Sequence, residues 1–389
     1  MSARTLDLLD RLVAFPTESG SGNLDLVAFA EEFLRARGAI TERLPSPDGA
    51  KAGLVARLGP AERPGVVLSG HTDVVPVAGQ DWTSDPFTLR RAGDRVYGRG
   101  TTDMKGFVAA MLAAADRAAA RSLSEPLKLV LSYDEEVGCK GLREMLEALP
   151  ALLGAPRACI VGEPTSMQVA LGHKGKAAYR ARFHGTGGHS AMAPMHLNAL
   201  HMAADFIQGL RALQAELAET GAQDAHFAVP HSTIHAGTLA GGHALNIVPD
   251  DTRLGYEIRA VPQEAISGIA SRVQAVADEI ADRYRARFPE AAITIEETTR
   301  YPGLSTDAGS PVAGWAQALA GQKGTCHVDF GTEAGFFAGE LGIPTVVCGP
   351  GSMDQGHKPD EFVALAQLDA CDTMLTRLVD RLSEGEPGP

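Results

Sequence analysis

Apolar positions in the first 175 residues follow two alternating periods. A spacing of three and four residues predicts helices over 24–37, 104–121 and 142–149. Short runs rich in Val, Ile and Leu predict strands over 53–59, 66–69, 127–133 and 158–161. Strands that alternate with helices indicate an α/β fold, in which helices cover both faces of one sheet.

The pattern changes after Gly175. Strands are predicted over 177–183, 232–238, 252–260 and 293–297, with helices over 198–217 and 263–288. The order β-α-β-β-α-β is typical of a two-layer, ferredoxin-like α+β domain. Strands over 326–329 and 344–348 and a helix over 360–381 then resume the first pattern. We therefore predict a catalytic domain in two parts, 1–176 and 297–389, with an inserted domain over 177–296.

Charge and composition exclude several classes of partner. The chain has 35 Lys and Arg against 48 Asp and Glu, a formal net charge of −13. An acidic protein repels phosphate backbones and anionic membrane surfaces, so we expect no nucleic-acid or membrane partner. The longest apolar run, Phe107 to Ala115, is too short to span a bilayer. Five scattered cysteines and an N-terminus that carries Asp7 and Asp10 favour a cytoplasmic location.

Metal-binding residue types follow several of the predicted strands. They occur in five segments: Gly70-His-Thr-Asp73, Gly100-Thr-Thr-Asp-Met-Lys-Gly106, Asp134-Glu-Glu136, Gly162-Glu-Pro164 and Gln355-Gly-His-Lys-Pro359. Side chains at the carboxyl ends of neighbouring strands converge on one crevice of an open α/β sheet. The five segments together therefore indicate one hydrolytic metal site.

Taken singly, each segment has a simpler interpretation. A His-x-Asp or a Glu-Glu pair is more often a solvated loop, and Gly-Glu-Pro is also a common helix start. Gly185-Thr-Gly-Gly lacks the rest of a phosphate-binding loop, and without a family context His189, which follows it directly, is a turn residue. Cys139 is most simply a small packed residue, although a thiol there could also bind a metal or act as a nucleophile.

The five segments, with Gly-His-Thr-Asp-Val-Val-Pro and Gly-His-Lys-Pro-Asp-Glu, resemble the M20 family of dinuclear metallohydrolases over nearly the whole chain. The resemblance implies an α/β/α catalytic domain with an inserted lid and dimerisation domain. It also implies two divalent metal ions. His71 and Glu163 would bind one ion, Glu136 and His357 the other, and Asp103 would bridge both. Mixed His and carboxylate ligands favour Zn²⁺, with Co²⁺ or Mn²⁺ as a substitute.

Three further residues receive catalytic roles from the resemblance. Asp73 would lie behind His71 and orient its ring. Glu135, which is next to a ligand, would be the general base. His189, in the inserted domain, would donate a hydrogen bond to the oxyanion across a homodimer. The family also implies a cis peptide bond between Asp103 and Met104.

The closest resemblance within the family implies hydrolysis of N-acetyl-L-ornithine to acetate and L-ornithine, in arginine biosynthesis. Gly172-His-Lys-Gly175 and Gly331-Thr-Glu-Ala334 are among the stretches that carry it. Asn246, Arg259 and Lys174 are candidates for the substrate carboxylate, and Glu333 for its side-chain ammonium. Alternatives are hydrolysis of succinyl-diaminopimelate, of other N-acyl amino acids or of dipeptides. A non-catalytic metal- or peptide-binding module is the alternative from another class.

Overall fold

The structure is a computed structural model that describes residues 3–385 and 389. Within these residues the chain forms nine α-helices: α1 (Ala3–Val13), α2 (Leu24–Arg35), α3 (Lys105–Ala119), α4 (Lys140–Met145), α5 (Leu149–Leu153), α6 (Ala199–Thr220), α7 (Ile266–Arg285), α8 (Pro311–Ala320) and α9 (Leu365–Glu384).

The same residues form eighteen strands: β1 (Ile40–Pro45), β2 (Ala52–Leu58), β3 (Val66–His71), β4 (Arg90–Ala92), β5 (Arg95–Tyr97), β6 (Leu127–Ser132), β7 (Ala158–Pro164), β8 (Val169–His173), β9 (Gly175–His184), β10 (Gly188–His189), β11 (Thr233–Gly241), β12 (Ile247–Val248), β13 (Asp251–Ala260), β14 (Ala292–Tyr301), β15 (Leu304–Ser305), β16 (Thr325–Val328), β17 (Thr345–Gly349) and β18 (Phe362–Ala364).

The chain divides into two compact units. The first unit comprises Met1–Gly172, Leu304–Val328 and Thr332–Pro389, and the second comprises His173–Gly303 and Asp329–Gly331. Because the first unit is built from separated stretches of chain, the second is an insertion in sequence. That the second unit serves as a lid stays a prediction.

A nine-stranded mixed sheet organises the first unit. Its order is β1-β2-β6-β3-β7-β17-β8-β15, with β16 paired to β8. Strands β6, β3, β7 and β17 run parallel to one another in this order. Every residue of β3, β6 and β7 is buried. Such strands are rich in apolar residues because both faces of the sheet are covered, which is typical of parallel sheets.

Helix α3 connects this core to the candidate site. Twelve of its fifteen residues are buried, and it packs against β3, α1 and α9. Gly162 on β7 leaves room for the ring of Phe107, because a Cβ at Gly162 would lie 1.9 Å from that ring. The peptide bond that precedes α3, Asp103–Met104, is cis.

The second unit is a two-layer α+β sandwich. Its antiparallel sheet has the order β11-β13-β9-β14. Buried and more exposed residues alternate along β13, which gives the sheet one apolar face. Helices α6 and α7 cover that face, with Phe183, Phe206 and Ile258 among the buried residues between the layers. The predicted order β-α-β-β-α-β is thus confirmed.

Two predicted helices are wrong in part. The helix predicted over 142–149 is interrupted at residues 146–148, between α4 and α5. Pro150, near the start of α5, has no N–H, and in a continuous helix its ring would clash with the carbonyl of Leu146. The helix predicted from 360 begins at Leu365, because residues 362–364 form β18 and pair with β5. Among the described residues, no helix has the length and apolar character that a membrane crossing needs.

Candidate metal centre

Parallel strands bring four predicted site residues to one edge of the first unit's sheet. His71 is the last residue of β3, and Glu163 is near the end of the adjacent β7. Glu135 and Glu136 follow β6, the neighbour of β3 on its other side. Because these strands run in the same direction, their carboxyl ends meet, as the sequence predicted.

The side chain of Asp103 lies between two imidazoles. Its Oδ1 is 3.1 Å from Nε2 of His71, and its Oδ2 is 3.1 Å from Nε2 of His357. Each ring therefore faces a different oxygen of one buried carboxylate. This is the arrangement expected of a ligand shared by two ions.

Two glutamates extend the cluster in opposite directions. Oε2 of Glu136 is 2.9 Å from Nε2 of His357, and Oε1 of Glu163 is 3.8 Å from Nε2 of His71. Ligand atoms of His71, Asp103 and Glu136 lie within 4.8 Å of one another, as do those of His71, Glu135 and Glu163. The structure thus brings together all five residues predicted as ligands.

Asp73 orients the residues around it through its backbone and its carboxylate. Its carbonyl oxygen is 2.9 Å from Nδ1 of His71. A carbonyl can only accept, so Nδ1 carries a proton and Nε2 is the ring nitrogen that faces the cluster. The carboxylate accepts hydrogen bonds from the N–H groups of Glu135 and Glu136, at 3.0 and 3.3 Å, and from the hydroxyl of Ser19 at 2.7 Å. Asp73 therefore fixes the loop of Glu135 as well as the ring of His71.

Glu135 is held by a neighbour of its own. The buried thiol of Cys139 donates to Oε1 of Glu135 at 3.2 Å. Cys139 has a left-handed φ of 53°, an unusual conformation for a residue other than glycine. The thiol is therefore packed, as predicted, and it also contacts the candidate base.

The acidity of the cluster suits a bound cation. Burial, reinforced by neighbouring carboxylates, raises the pKa of Glu135 and Glu163 well above the usual range and that of Glu136 to about 7. Burial also acts on Asp103, but hydrogen bonds from His357 and His71 more than reverse it and lower its pKa. Hydrogen bonds to Asp103 and Glu136 raise the pKa of His357 to about 10. A divalent cation would offset this concentration of buried acids, so the residues present fit a metal ion.

Glu333 belongs to the same unit but lies in its interior. Its side chain is 1% exposed. Burial raises the pKa of its carboxyl to about 7, although the hydroxyls of Ser132 and Ser69 act in the opposite direction. The sequence did not predict this burial, because Gly-Thr-Glu-Ala has no apolar pattern.

The other predicted site residues lie in the second unit. Exposed His189 pairs with Ile247 between β10 and β12, and its Nδ1 accepts a hydrogen bond from the N–H of Ala191. Asn246 is exposed and accepts a hydrogen bond from the N–H of Ser190 through its carbonyl oxygen.

Arg259 and Lys174, the two basic residues predicted to bind the substrate carboxylate, already have partners within that unit. Arg259 donates from Nε to Oε1 of Glu257 at 2.8 Å. The Nζ of Lys174 donates to the carbonyl oxygens of Val229 and His231, at 2.6 and 2.8 Å. Two of the three N–H groups of Lys174 are thus used locally, and one remains for a ligand.

Sequence reasoning gave no role to several residues around the cluster. Ser19 contacts Asp73, while Arg99 and Glu361 form a buried ion pair next to Asp103. Arg99 lies in the same segment as Asp103, Gly-Arg-Gly-Thr-Thr-Asp, and Glu361 lies in the same segment as His357, Gly-His-Lys-Pro-Asp-Glu. Their closeness in sequence to two ligands could therefore have indicated a supporting role. Ser19 had none, because it is distant from every ligand in sequence.

The cluster of histidines and carboxylates lies at the carboxyl edge of an α/β sheet, and a further glutamate lies beside it. This arrangement is that of a metal-dependent hydrolase. Residues 67–381 match the profile described as Peptidase family M20/M25/M40. The chain therefore belongs to the M20 family.

Known proteins extend this match beyond the profile. An acetylornithine deacetylase of Aliivibrio salmonicida is 33% identical over 332 residues, covering 85% of this chain and 84% of that protein. The structure of the M20 metallo-carboxypeptidase Sso-CP2 from Sulfolobus solfataricus superposes with a TM-score of 0.78 at 18% identity, covering 99% and 100% of the two chains. The YXEP protein of Bacillus subtilis, a dinuclear metal-binding M20 peptidase, superposes with a TM-score of 0.69 at 16% identity over 98% of each chain.

Proposed function

We propose that the chain hydrolyses N-acetyl-L-ornithine to acetate and L-ornithine at a dinuclear metal centre, within arginine biosynthesis. One observation carries the hydrolytic part: the two oxygens of Asp103 face two different histidines, with Glu135 beside them. The similarity to acetylornithine deacetylases supports the choice of substrate.

Each residue of the cluster has a distinct task in this reaction. Two bound divalent ions, Zn²⁺ in preference to Co²⁺, would polarise the acyl oxygen, lower the pKa of the attacking water and keep the carboxylates ionised. The carboxylate of Glu135 removes a proton from that water and returns it to the leaving amine. The thiol of Cys139 occupies Oε1 of Glu135, which leaves Oε2 to exchange the proton. Asp73 keeps Nε2 of His71 directed at the cluster.

Substrate ends are assigned by charge. Arg259, aided by Asn246 and the remaining donor of Lys174, binds the α-carboxylate, since a guanidinium suits a carboxylate. Glu333 pairs with the side-chain ammonium.

We also propose that His189 acts across a homodimer as the oxyanion donor. The support is an exposed apolar surface near it in the second unit. Met192, Met195, Leu245 and Ile247 are all exposed, and Ile247 pairs with His189 itself. Exposed apolar patches commonly mark protein contacts. Mixing His189→Ala with Glu135→Ala should restore activity, because each mixed dimer then has one intact site. No recovery in proven mixed dimers would contradict a role across the dimer.

A substrate panel tests the proposed activity. The metal-loaded protein should release acetate from N-acetylornithine with a higher kcat/KM than from N-acetylmethionine. It should act more slowly on N-succinyl-diaminopimelate and on a dipeptide. Glu135→Gln is the matched control, since it should keep both metals and lose about 10²–10⁴-fold in kcat.

The panel also separates the alternatives. Preference for the succinylated substrate or the dipeptide would reassign the enzyme within its family. Metal binding without hydrolysis of any substrate would contradict the enzymatic proposal altogether.

The cysteines of the described chain are all free, which supports a reducing cytoplasm as the location.

A further inference from the structure

Glu361 is a buried carboxylate next to the metal cluster that binds the backbone before α3. Its side chain is 1% exposed. One oxygen, Oε1, accepts from the N–H groups of Thr102 and Asp103, at 2.9 and 3.1 Å. The other, Oε2, accepts from the N–H of Gly100 at 3.1 Å and from Nη1 of Arg99 at 2.7 Å. Both oxygens of Glu361 therefore hold the loop that carries Asp103.

Arg99 connects the same loop to the segment that carries His357. Its Nη1 also lies 3.3 Å from the carbonyl oxygen of Lys358, and its Nη2 donates to Oε1 of Gln80. Nε2 of Gln80 in turn donates to the carbonyl oxygen of His357 at 3.2 Å. The guanidinium carbon lies 4.9 Å from the centroid of the Trp82 ring, within the range of a cation–π contact.

We propose that the Arg99–Glu361 ion pair, with Gln80, positions Asp103 and His357 for metal binding. These three residues form the clamp. The inference rests on the proposed metal centre and deepens it. None of the three offers an atom to the metal cluster, so each is a positioning residue. The clamp sets the backbone on both sides of the contact between Asp103 Oδ2 and His357 Nε2.

A carboxylate is required at Glu361 because all of its partners are donors. In Glu361→Gln one oxygen becomes an NH₂ group, and either orientation of the amide places that NH₂ against two N–H donors. At least two of the four hydrogen bonds are then lost, although size and shape are kept. Replacing residues that orient metal ligands typically costs about 10–100-fold in metal affinity.

Glu125 provides a matched control in the same unit. It is a buried carboxylate that accepts from Nε and Nη2 of Arg157, at 3.0 and 2.9 Å, and from the N–H of Gly65 at 3.2 Å. None of these partners carries a candidate ligand. Glu125→Gln should thus reproduce the structural cost of the substitution without its effect on the metals.

The experiment is a titration of the metal-free proteins with Zn²⁺ and Co²⁺, together with thermal unfolding of the same samples. Glu361→Gln should weaken binding of both ions, because Asp103 faces the ligands of both. Binding of the ion held by His357 should weaken about 10–100-fold, and the visible spectrum of bound Co²⁺ should change. Glu125→Gln should keep wild-type affinity and spectrum within about twofold, whatever its effect on unfolding. Gln80→Ala, a partly exposed substitution, should fold and weaken the same ion about three- to tenfold.

The outcomes separate this inference from the proposed function. Wild-type affinity in both Glu361→Gln and Gln80→Ala, with two ions bound, would overturn the clamp and leave the metal centre standing. An equal loss of affinity in Glu125→Gln would also overturn it, because the effect would then be general destabilisation. A wild-type protein that binds no metal would overturn the metal centre and the clamp together. If Glu361→Gln does not fold, the Gln80→Ala titration decides.

Discussion

Replacing His173 should remove part of the acid sensitivity of the fold. The ring is fully buried, and its Nδ1 lies 3.0 Å from the carbonyl oxygen of Lys174. That carbonyl requires the proton on Nδ1, and within the described residues Nε2 has no hydrogen-bond partner. A second proton would place a buried charge and an unpaired N–H in the interior. Burial accordingly lowers the pKa of His173 from 6.5 to about 4.

The magnitude follows from that shift. The unfolded chain binds a proton on this residue below pH 6.5, whereas the folded chain does so only below about pH 4. The contribution of the neutral ring to the free energy of unfolding is therefore fully present above pH 6.5 and is lost as the pH falls toward 4. At ~1.4 kcal/mol per pH unit, the full loss is about 3 kcal/mol, and roughly 2 kcal/mol is lost by pH 5.

Urea unfolding at pH 7 and pH 5 measures this difference. His173→Asn keeps a donor near the position of Nδ1 but cannot titrate, so it should lose roughly 2 kcal/mol less than the wild type between the two pH values. His201→Asn, at an exposed histidine on α6, is the control and should follow the wild type. If the wild type and His173→Asn, at equal metal content, lose the same free energy of unfolding between pH 7 and pH 5, the argument that the fold holds this ring neutral is refuted.

Other predictions concern the metals, the substrate and the close packing beneath the site. Asp103→Ala should weaken both metal ions and His357→Ala only one, since a shared ligand touches two ions; two tight equivalents in Asp103→Ala would exclude a bridge. Glu333→Gln should raise KM for N-acetylornithine about tenfold or more relative to N-acetylnorvaline, which lacks the amine, and equal effects would assign Glu333 to support of the interior instead. Gly349→Ala should unfold the protein at lower temperature and weaken metal binding, because its Cβ would lie 1.9 Å from the carbonyl oxygen of Gly162. Gly314→Ala, with nothing within 4 Å in α8, should raise stability by ~1 kcal/mol, as differential scanning calorimetry can show.

Local pattern was sufficient for the elements with strong periodicity. The apolar helix α3 and the buried strands β3, β6 and β7 were predicted within a few residues, because burial on both faces demands continuous apolar runs. The five proposed metal ligands were also found from sequence. Four of them lie in or flank these elements, and His357 lies between β17 and β18. The direction of parallel strands is enough to predict that the ligands at the strand ends meet.

Elements without such a pattern were missed. Edge strand β1, with the sequence Ile-Thr-Glu-Arg-Leu-Pro, is half exposed and shows no alternation, and β18 was absorbed into a predicted helix. The conformation of β1 comes from pairing with β2, which follows it directly in the chain. The conformation of β18 comes from pairing with β5, which is distant in the chain. Pairing partners supply backbone hydrogen bonds that local propensity does not encode.

The sequence by itself determined the fold class, the family and the residue types of the metal centre, because each of these depends on periodicity or on short segments. Only the tertiary structure decided how those residues are supported. The contact between Glu361 and the backbone of Asp103 joins residues 258 positions apart, and that between Cys139 and Glu135 depends on a left-handed turn. The burial of Glu333 likewise depends on neighbours from β3 and β6. Such supports arise from packing between distant segments, and no local pattern records which N–H a buried carboxylate will meet.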